Sequence, residues 1–320
     1  MREGQFIRQN KERWDSYLFE TDDPDELAKR FVYLVDDLGY AKTHYPNSNT
    51  IKYINSIAAN IYMSIYKNKK EKTNKIKHFV MVELPLIMYR NRKTLLYTFL
   101  FFLVFMLIGI FSSWKDQSFV RGVLGDDYVD MTLNNIAEGD PFKVYKEQDP
   151  FTMFLQITFN NIGVTFRIFL FGVFFSIGAI YLLFRNALML GVFEQMFFAH
   201  DLGFQSILVV FIHGTLEISG LILAATAGII LGNSILFPGT FTRTQSFVRG
   251  AKHGIKIIIG LMPVFITAGF FESYVTRHTG MPLALSLSIL IGSLTFIIGY
   301  FILFPVYVAK KYALDKIDIN

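Results

Sequence analysis

Long apolar runs alternate with polar segments along most of this chain. Five runs contain no Asp, Glu or Lys and approach or exceed the ~18 to 20 residues that span a hydrocarbon core. They are residues 94–113, 162–184, 218–236, 257–271 (long enough only with its flanks) and 283–305. Strands of a membrane barrel would alternate apolar and polar residues in segments of ~10, and these runs do not. The pattern predicts an all-α fold, a polytopic transmembrane helical bundle.

The composition supports this interpretation. The chain is 52% hydrophobic and 18% charged, whereas soluble domains carry roughly 25% charged residues. It contains no cysteine, which excludes disulfides and cysteine-based metal sites. Residues 1–30 are polar and lack the apolar core of a cleavable signal peptide, so we expect the first spanning helix to direct insertion.

The distribution of charge predicts the topology. Residues 1–93 carry 17 Lys/Arg against 12 Asp/Glu, the loop 114–155 carries four against eight, and the loop 237–256 carries four against none. The positive-inside rule places basic segments in the cytoplasm. We therefore expect a cytoplasmic helical region 1–93, a transmembrane domain 94–305 with an extracytoplasmic loop 114–155, and a cytoplasmic tail 306–320.

This topology requires a further segment to enter the membrane. Residues 185 and 237 are both expected inside, yet only the run 218–236 lies between them as a clear crossing. The second crossing therefore has to be residues 185–204, a short segment that contains Glu194. Residues 205–213 would complete it. Two interpretations stay open: six crossings with one short helix, or five crossings and a re-entrant segment.

The N-terminal region has the pattern of amphipathic helices. Asp23 is a predicted helix cap and Pro24 a predicted first residue. Two apolar stripes follow, formed by Leu27, Phe31, Leu34, Val35 and Leu38, and by Ile51, Ile54, Ile57, Ile61 and Ile65. The lysine-rich stretch 67–77 either attracts anionic lipid or is a solvated linker. No motif for binding nucleic acid is present.

Ionisable residues within the apolar runs are candidate site residues, since a charge at the centre of a membrane helix costs at least about 2.5 kcal/mol. His213 and Glu217 lie four residues apart, on one helical face. With Arg167 and Glu272 they could meet in the outer half of the bilayer, where Arg167 would balance a carboxylate, and Glu194 would lie nearer mid-depth. Either they are structural ion pairs, or they line a polar pocket for an ion, a lipid headgroup or a partner helix.

Small residues recur every four positions in the same helix. Such a row lets another helix approach closely, through packing within the chain or through homodimerisation. The row is formed by Gly220, Ala224, Gly228 and Gly232, with Gly172 and Ser176 as a candidate matching surface.

The chain shows no GxSxG, HExxH, Walker A or dinucleotide-binding motif, and its six histidines are scattered. We therefore expect no catalytic residues, no cofactor and no metal site. The loop 114–155, with Tyr128, Phe142 and Tyr145, is either a surface for extracytoplasmic protein contact or a polar connector.

Several segments, in order, resemble the stage II sporulation protein M family, in its branch outside spore formation. "RQNKERWDSYLFE" resembles the family's R-x-x-x-W opening, with Trp14 out of register. The next two helices match at Asp37-Leu38, Tyr45-Pro46, Ile54-Asn55 and Tyr66. Later matches are Asn161, Asn186, Gly191, His213, Gly214, Glu217, Gly269 and Glu272, whereas Ala187 stands where the family more often has glycine.

The resemblance implies a non-enzymatic role in the cell envelope, at a bacterial inner membrane. The sporulation member is a multi-pass protein that holds a peptidoglycan-degrading complex at the membrane. The leading hypothesis is therefore a membrane scaffold that recruits membrane or envelope proteins for peptidoglycan remodelling. The alternative is a transporter or carrier of an ion, lipid or small solute that uses the intramembrane carboxylates.

Overall fold

The computed structural model describes residues 1–19, 21, 23–67, 74–146 and 148–312. The side chains of Tyr66 and Lys67, residues 68–73 of the lysine-rich stretch and residues 313–320 of the predicted tail lie outside that description. The described residues are helical, with turns and no strand. They fall into two compact units, which divide between Asn74 and Lys75.

The first unit is built from α1 Glu3–Ser16, α2 Pro24–His44 and α3 Asn49–Lys67. Helix α2 begins where the sequence predicts, because the Asp23 side chain accepts a hydrogen bond from the Asp25 backbone N–H at 3.0 Å. Pro24 follows at the first helical position, where its missing N–H costs nothing.

Both predicted stripes contribute residues to the core of this unit, but some residues of each stripe are exposed. Leu34 and Ile54 are fully buried, whereas Val35 and Ile65 are 45% and 37% exposed. Successive residues of a helix point about 100° apart, so Val35 cannot share the buried face of Leu34.

Asp37 links two helices of the first unit. Its carboxylate accepts hydrogen bonds from the Arg13 guanidinium at 2.6 Å and from the Trp14 indole N–H at 2.8 Å. Trp14 is 1% exposed, and a buried indole N–H usually needs such a partner. The pair therefore holds α1 on α2.

The second unit contains six candidate membrane crossings among its described residues, which confirms the predicted polytopic bundle. In chain order its helices are α4 Lys75–His78, a π-helical segment Phe79–Glu83, α5 Leu84–Arg90, α6 Arg92–Lys115, α7 Gln117–Leu124, α8 Asp126–Ala137, a 3-10 turn Lys143–Tyr145, α9 Pro150–Phe171, α10 Ile177–Phe198, α11 Gly203–Leu236, α12 Arg243–Phe270, a π-helical segment Phe271–Thr276, α13 Leu283–Ile298, a π-helical segment Gly299–Leu303 and α14 Phe304–Lys311. Helices α6, α9, α10 and α11 are crossings on their own. The other two crossings are α12 with its π-helical extension, and α13 through α14.

Residues 75–93 belong to this unit and not, as predicted, to the region before it. Leu84 and Met88 are each 1% exposed in the core formed with α11 and α12. Lys256 of α12 donates a hydrogen bond to the Glu83 carboxylate at 2.7 Å. Apolar burial and this ion pair attach the segment to the bundle, so the boundary lies well before residue 93.

The predicted crossing 162–184 is wrong, because it joins the end of one helix to the start of another. Residues 172–176 form an apolar turn in which Phe175 and Ser176 have positive φ. The Ser176 N–H donates to the Gly172 carbonyl at 3.0 Å, and its hydroxyl donates to the Ile229 carbonyl at 3.1 Å. Backbone groups in a membrane need such internal partners, and an apolar turn that has them leaves no polar signal in the sequence.

The structure also revises the segment 185–213 and the loop 114–155. Helix α10 begins at Ile177, eight residues before the predicted start, and is 22 residues long. It therefore has spanning length and composition, which favours six crossings over a re-entrant segment. The connection between α6 and α9 is 116–149, shorter than predicted and largely helical; we name it the cap segment.

The crossings define two ends of the bundle. Helices α6 and α10 run in the same direction, since Phe105 stacks edge-on against Phe184 at 5.1 Å and Gly109 lies on the backbone of Leu188. We call the end at the start of α6, near Arg92, the basic end. The end that carries the cap segment is the acidic end.

Candidate functional site: a buried polar cluster

Three elements bring polar side chains together inside the bundle. Helix α9 contributes Asn161, and α11 contributes His213 and Glu217, which share a face because they are four residues apart. The π-helical segment at the end of α12 contributes Glu272 and Thr276. Segments of this rare helix type frequently occur at functional sites.

The side chains contact one another directly. The Asn161 amide donates a hydrogen bond to the Glu217 carboxylate. The two ring nitrogens of His213 face different groups: Nδ1 lies 2.9 Å from the Thr276 hydroxyl, and Nε2 lies 3.9 Å from the Glu272 carboxylate. One ligand atom of Glu217 and one of Glu272 lie within 4.8 Å of each other and of a His213 ring nitrogen. Two carboxylates at this separation repel each other, so a proton or a cation between them stabilises the pair.

This cluster is shielded from solvent. The side chains of His213 and Glu272 are 4% and 16% exposed. Charges in such surroundings interact more strongly than in water, and they are costly when left unpaired. The carboxyl groups are therefore either neutralised in the folded protein or balanced by a positive charge.

The cap segment covers the cluster at the acidic end. The Tyr145 ring packs edge-on against the His213 imidazole, with centroids 5.7 Å apart. Burial and the neighbouring Glu272 carboxyl raise the pKa of the Tyr145 phenol well above its usual value, so it stays protonated. Arg277 fixes the segment by donating to the carbonyls of Lys146 and Gln148 at 3.3 and 3.1 Å.

The sequence offered Phe142 of this segment for protein contact, but the structure turns it into the bundle. Phe142 is 1% exposed and stacks on Phe197 of α10 at 5.3 Å. Tyr145 and Thr276 were not among the predicted site residues. A lone aromatic in a polar loop and a threonine near a helix end carry no distinctive sequence signal.

Arg167 does not join the cluster, contrary to the prediction. It lies four residues before the end of α9, six residues beyond Asn161 and so about 9 Å further toward the basic end. Its Nε donates to the Gly163 carbonyl at 3.3 Å. The prediction placed Arg167 early in its helix because the turn at 172–176 was not recognised.

Glu194 lies near the acidic end and not near mid-depth. It is 17 residues from Ile177, which corresponds to about 26 Å along the helix, and four residues from Phe198. It is 7% exposed, and neither carboxylate oxygen has a hydrogen-bond partner among the described residues. The Ser206 hydroxyl lies nearby but also lacks hydrogen-bond geometry.

A cavity of about 240 Å³ adjoins the cluster. It is lined in part by Asn161, Asn186, His213 and Glu217. A neighbouring groove of about 440 Å³ shares Asn186 and contains two exposed arginines, Arg167 and Arg185. The bundle thus places a polar cavity with carboxyl groups beside a groove with positive charge.

The small-residue row of α11 packs within the chain along its length. A Cβ on Gly220 would lie 2.6 Å from the Phe265 ring of α12, and one on Gly232 would lie 2.1 Å from the Ser176 backbone nitrogen. Gly228 faces Ala179 and Ile168, and Ala224 between them is fully buried. Only residues without side chains, or with very small ones, allow these close approaches.

Comparison with protein families gave two matches, one in each unit. The family described as Stage II sporulation protein M matches residues 98–277, a range that contains the whole polar cluster. A family described as a domain of unknown function (DUF8413) matches residues 4–67, so the resemblance of Trp14 and Asp37 to the first family lies outside its match. No curated protein and no solved structure matches the chain.

Proposed function

The chain belongs to the stage II sporulation protein M family, and from that membership we propose that it is a non-enzymatic membrane scaffold. It would recruit membrane or envelope proteins to the bacterial inner membrane for remodelling of the envelope and its peptidoglycan. The observation that carries the proposal is the division of the chain into two compact units. One unit is a small helical domain with its own core, and the other is a membrane bundle.

The packing of the bundle supports an anchoring role. Glycines of α11 bring it into backbone contact with the α9–α10 turn, as at Gly228 and Gly232. The row is thus used inside the chain, and homodimerisation would need another surface. The crossings α6 and α13–α14 are the most exposed, with 17% of their apolar windows buried. They would face the lipid bilayer or a partner's helices.

We propose that the basic end faces the cytoplasm. Arg90, Arg92 and Lys93 lie at that end, with Arg243 and Arg249 of α12, as the positive-inside rule requires. Both termini would then be cytoplasmic. The first unit would recruit cytoplasmic partners, and the cap segment would be available to proteins outside the membrane.

Purification from native membranes in mild detergent, with mass spectrometry of all bound proteins, tests the scaffold. The proposal predicts stoichiometric recovery of envelope or cell-wall proteins. It also predicts their partial loss from a variant without residues 1–74. Recovery of the chain alone, from both the full chain and the truncated variant, would contradict it.

A second candidate function is a carrier of an ion, lipid or small solute. The observation that favours it is the cavity beside Glu217, next to the groove with Arg167 and Arg185. Ionisable groups in membranes commonly mark transport pathways. Proteoliposomes with the wild-type chain and Glu217→Gln test it: flux that the substitution abolishes supports the carrier, and no flux of any candidate solute counts against it.

A further inference from the structure

We propose that His213, Glu217 and Glu272 form a binding site for one divalent transition-metal ion, with zinc as the reference ion. The sequence predicts no such site, because its histidines are scattered and Glu272 lies 55 positions after Glu217. The fold brings the three together: one ligand atom from each residue lies within 4.8 Å of the other two.

The distances suit a metal ion after a small closure. Zinc binds imidazole nitrogen and carboxylate oxygen at about 2.0 to 2.2 Å, so two ligands of a tetrahedral ion lie roughly 3.4 Å apart. The gap from His213 Nε2 to the Glu272 carboxylate is 3.9 Å. Adjustments of about 1 Å in the side chains complete the site.

The groups around these ligands orient them for metal binding. The Thr276 hydroxyl lies 2.9 Å from His213 Nδ1. When it accepts the Nδ1 proton, the Nε2 lone pair is free to bind a metal ion on the side of the Glu272 carboxylate, 3.9 Å away. The Asn161 amide holds one oxygen of Glu217. Hydrogen bonds of this kind fix the tautomer of metal-binding histidines and raise ligand affinity.

Electrostatics favours a cation at this point. Ligand atoms of two carboxyl groups lie within 4.8 Å of each other inside the bundle. Arg167, which the sequence analysis offered as their counter-charge, instead donates a hydrogen bond to the Gly163 carbonyl. A divalent ion would balance both carboxylates. One nitrogen and two oxygen ligands suit zinc, manganese or iron(II) better than calcium or magnesium, which take oxygen ligands in larger number.

The cavity supplies access and a free coordination position. His213 and Glu217 line the space of about 240 Å³ that also contacts Asn161, so water can reach the ion from that side. Three protein ligands with an open position are the arrangement of zinc sites that exchange ligands. The site is therefore suited to hold an ion reversibly or to bind a partner's carboxylate through it.

Metal content of the full-length chain in detergent tests the proposal. The protein is stripped with a chelator, dialysed against micromolar ZnCl2 or MnCl2, and analysed by elemental mass spectrometry. We expect about one ion per chain for the wild type and a loss of at least ten-fold for Glu217→Gln and Glu272→Gln. Glu194→Gln is the matched control: it removes another buried carboxyl group and should keep the ion.

Thr276→Val provides a variant that preserves the ligands and nearly preserves volume. It should weaken metal binding by about 10- to 100-fold while the chain elutes as the wild type does in size-exclusion chromatography. This readout stays decisive if a carboxyl variant fails to fold. A wild-type chain that binds less than a tenth of an equivalent of either metal, or metal binding that Thr276→Val and both carboxyl variants leave unchanged, overturns the proposal.

Discussion

Replacing Gly172 by alanine perturbs a close backbone contact between α11 and the α9–α10 turn. An added Cβ would lie 2.1 Å from the Gly228 carbonyl oxygen and 2.6 Å from its Cα, whereas ordinary contacts begin near 3.4 Å. Both clashes are with backbone, so no flexible side chain can give way. The turn must move away from α11 by roughly 1 Å or more. We expect this to cost an energy at the upper end of the ~1 to 3 kcal/mol that overpacking causes.

The displacement also weakens the hydrogen bond from the Ser176 hydroxyl to the Ile229 carbonyl, worth about 0.6 kcal/mol in a membrane protein. The combined destabilisation is about 3 kcal/mol. For a unit of this size, that lowers Tm by about 6 to 12 °C.

Thermal unfolding in detergent, followed by circular dichroism, measures this loss. Gly163→Ala is the matched control, because Gly163 lies in α9, nine residues before Gly172, with nothing within 4 Å of an added Cβ. It should unfold at or slightly above the wild-type temperature. A Gly172→Ala variant that unfolds together with the control would refute the backbone packing described for the turn.

Three further predictions concern separate parts of the chain. A double-mutant cycle of Arg167→Gln and Glu217→Gln should give a coupling energy below about 0.5 kcal/mol in thermal unfolding, because the side chains share no partner. A coupling energy several times larger would instead support the ion pair that the sequence predicts. Asp149 caps α9, and the Thr152 backbone N–H lowers its pKa below the usual 3.8. The stabilisation from this cap is complete above the unfolded-state pKa and is lost as the pH falls through the lower folded-state pKa. The Thr152 backbone N–H should therefore exchange faster below about pH 4. The Asp149→Asn variant should show no such transition. Asp37→Asn should destabilise the first unit by about 1 to 3 kcal/mol. Backbone amides of α1 should then exchange faster, and unchanged exchange in α1 would contradict the link described between α1 and α2.

The sequence predicts the class of fold well because the apolar runs are long and the charges are asymmetric. It misplaces the second and third crossings because their connecting turn, 172–176, is as apolar as the helices around it. Ser176 satisfies polar groups of the turn internally, and it is the only polar side chain among residues 172–176. One serine among apolar residues does not distinguish the turn from the helices beside it. The depths of Arg167 and Glu194 were wrong for this reason alone.

The candidate site is predictable only in part. His213 and Glu217 share a helical face, which their spacing of four residues reveals. Glu272 was placed at the same end of the bundle from the predicted topology. Its position within 4.8 Å of Glu217 depends on the packing of α12 against α11 and on the π-helical segment, and no local sequence pattern predicts either. Tyr145 reaches His213 through the fold of the cap segment.

Native mass spectrometry of complexes released from the cell's own membranes tests the proposed scaffold most directly, because it measures the mass of the chain together with its bound partners. The account predicts species heavier than the 36.8 kDa chain by the mass of one or more envelope proteins, and their decrease when residues 1–74 are removed. Only the chain itself, or only multiples of its own mass, in both preparations would contradict the scaffold and favour the carrier.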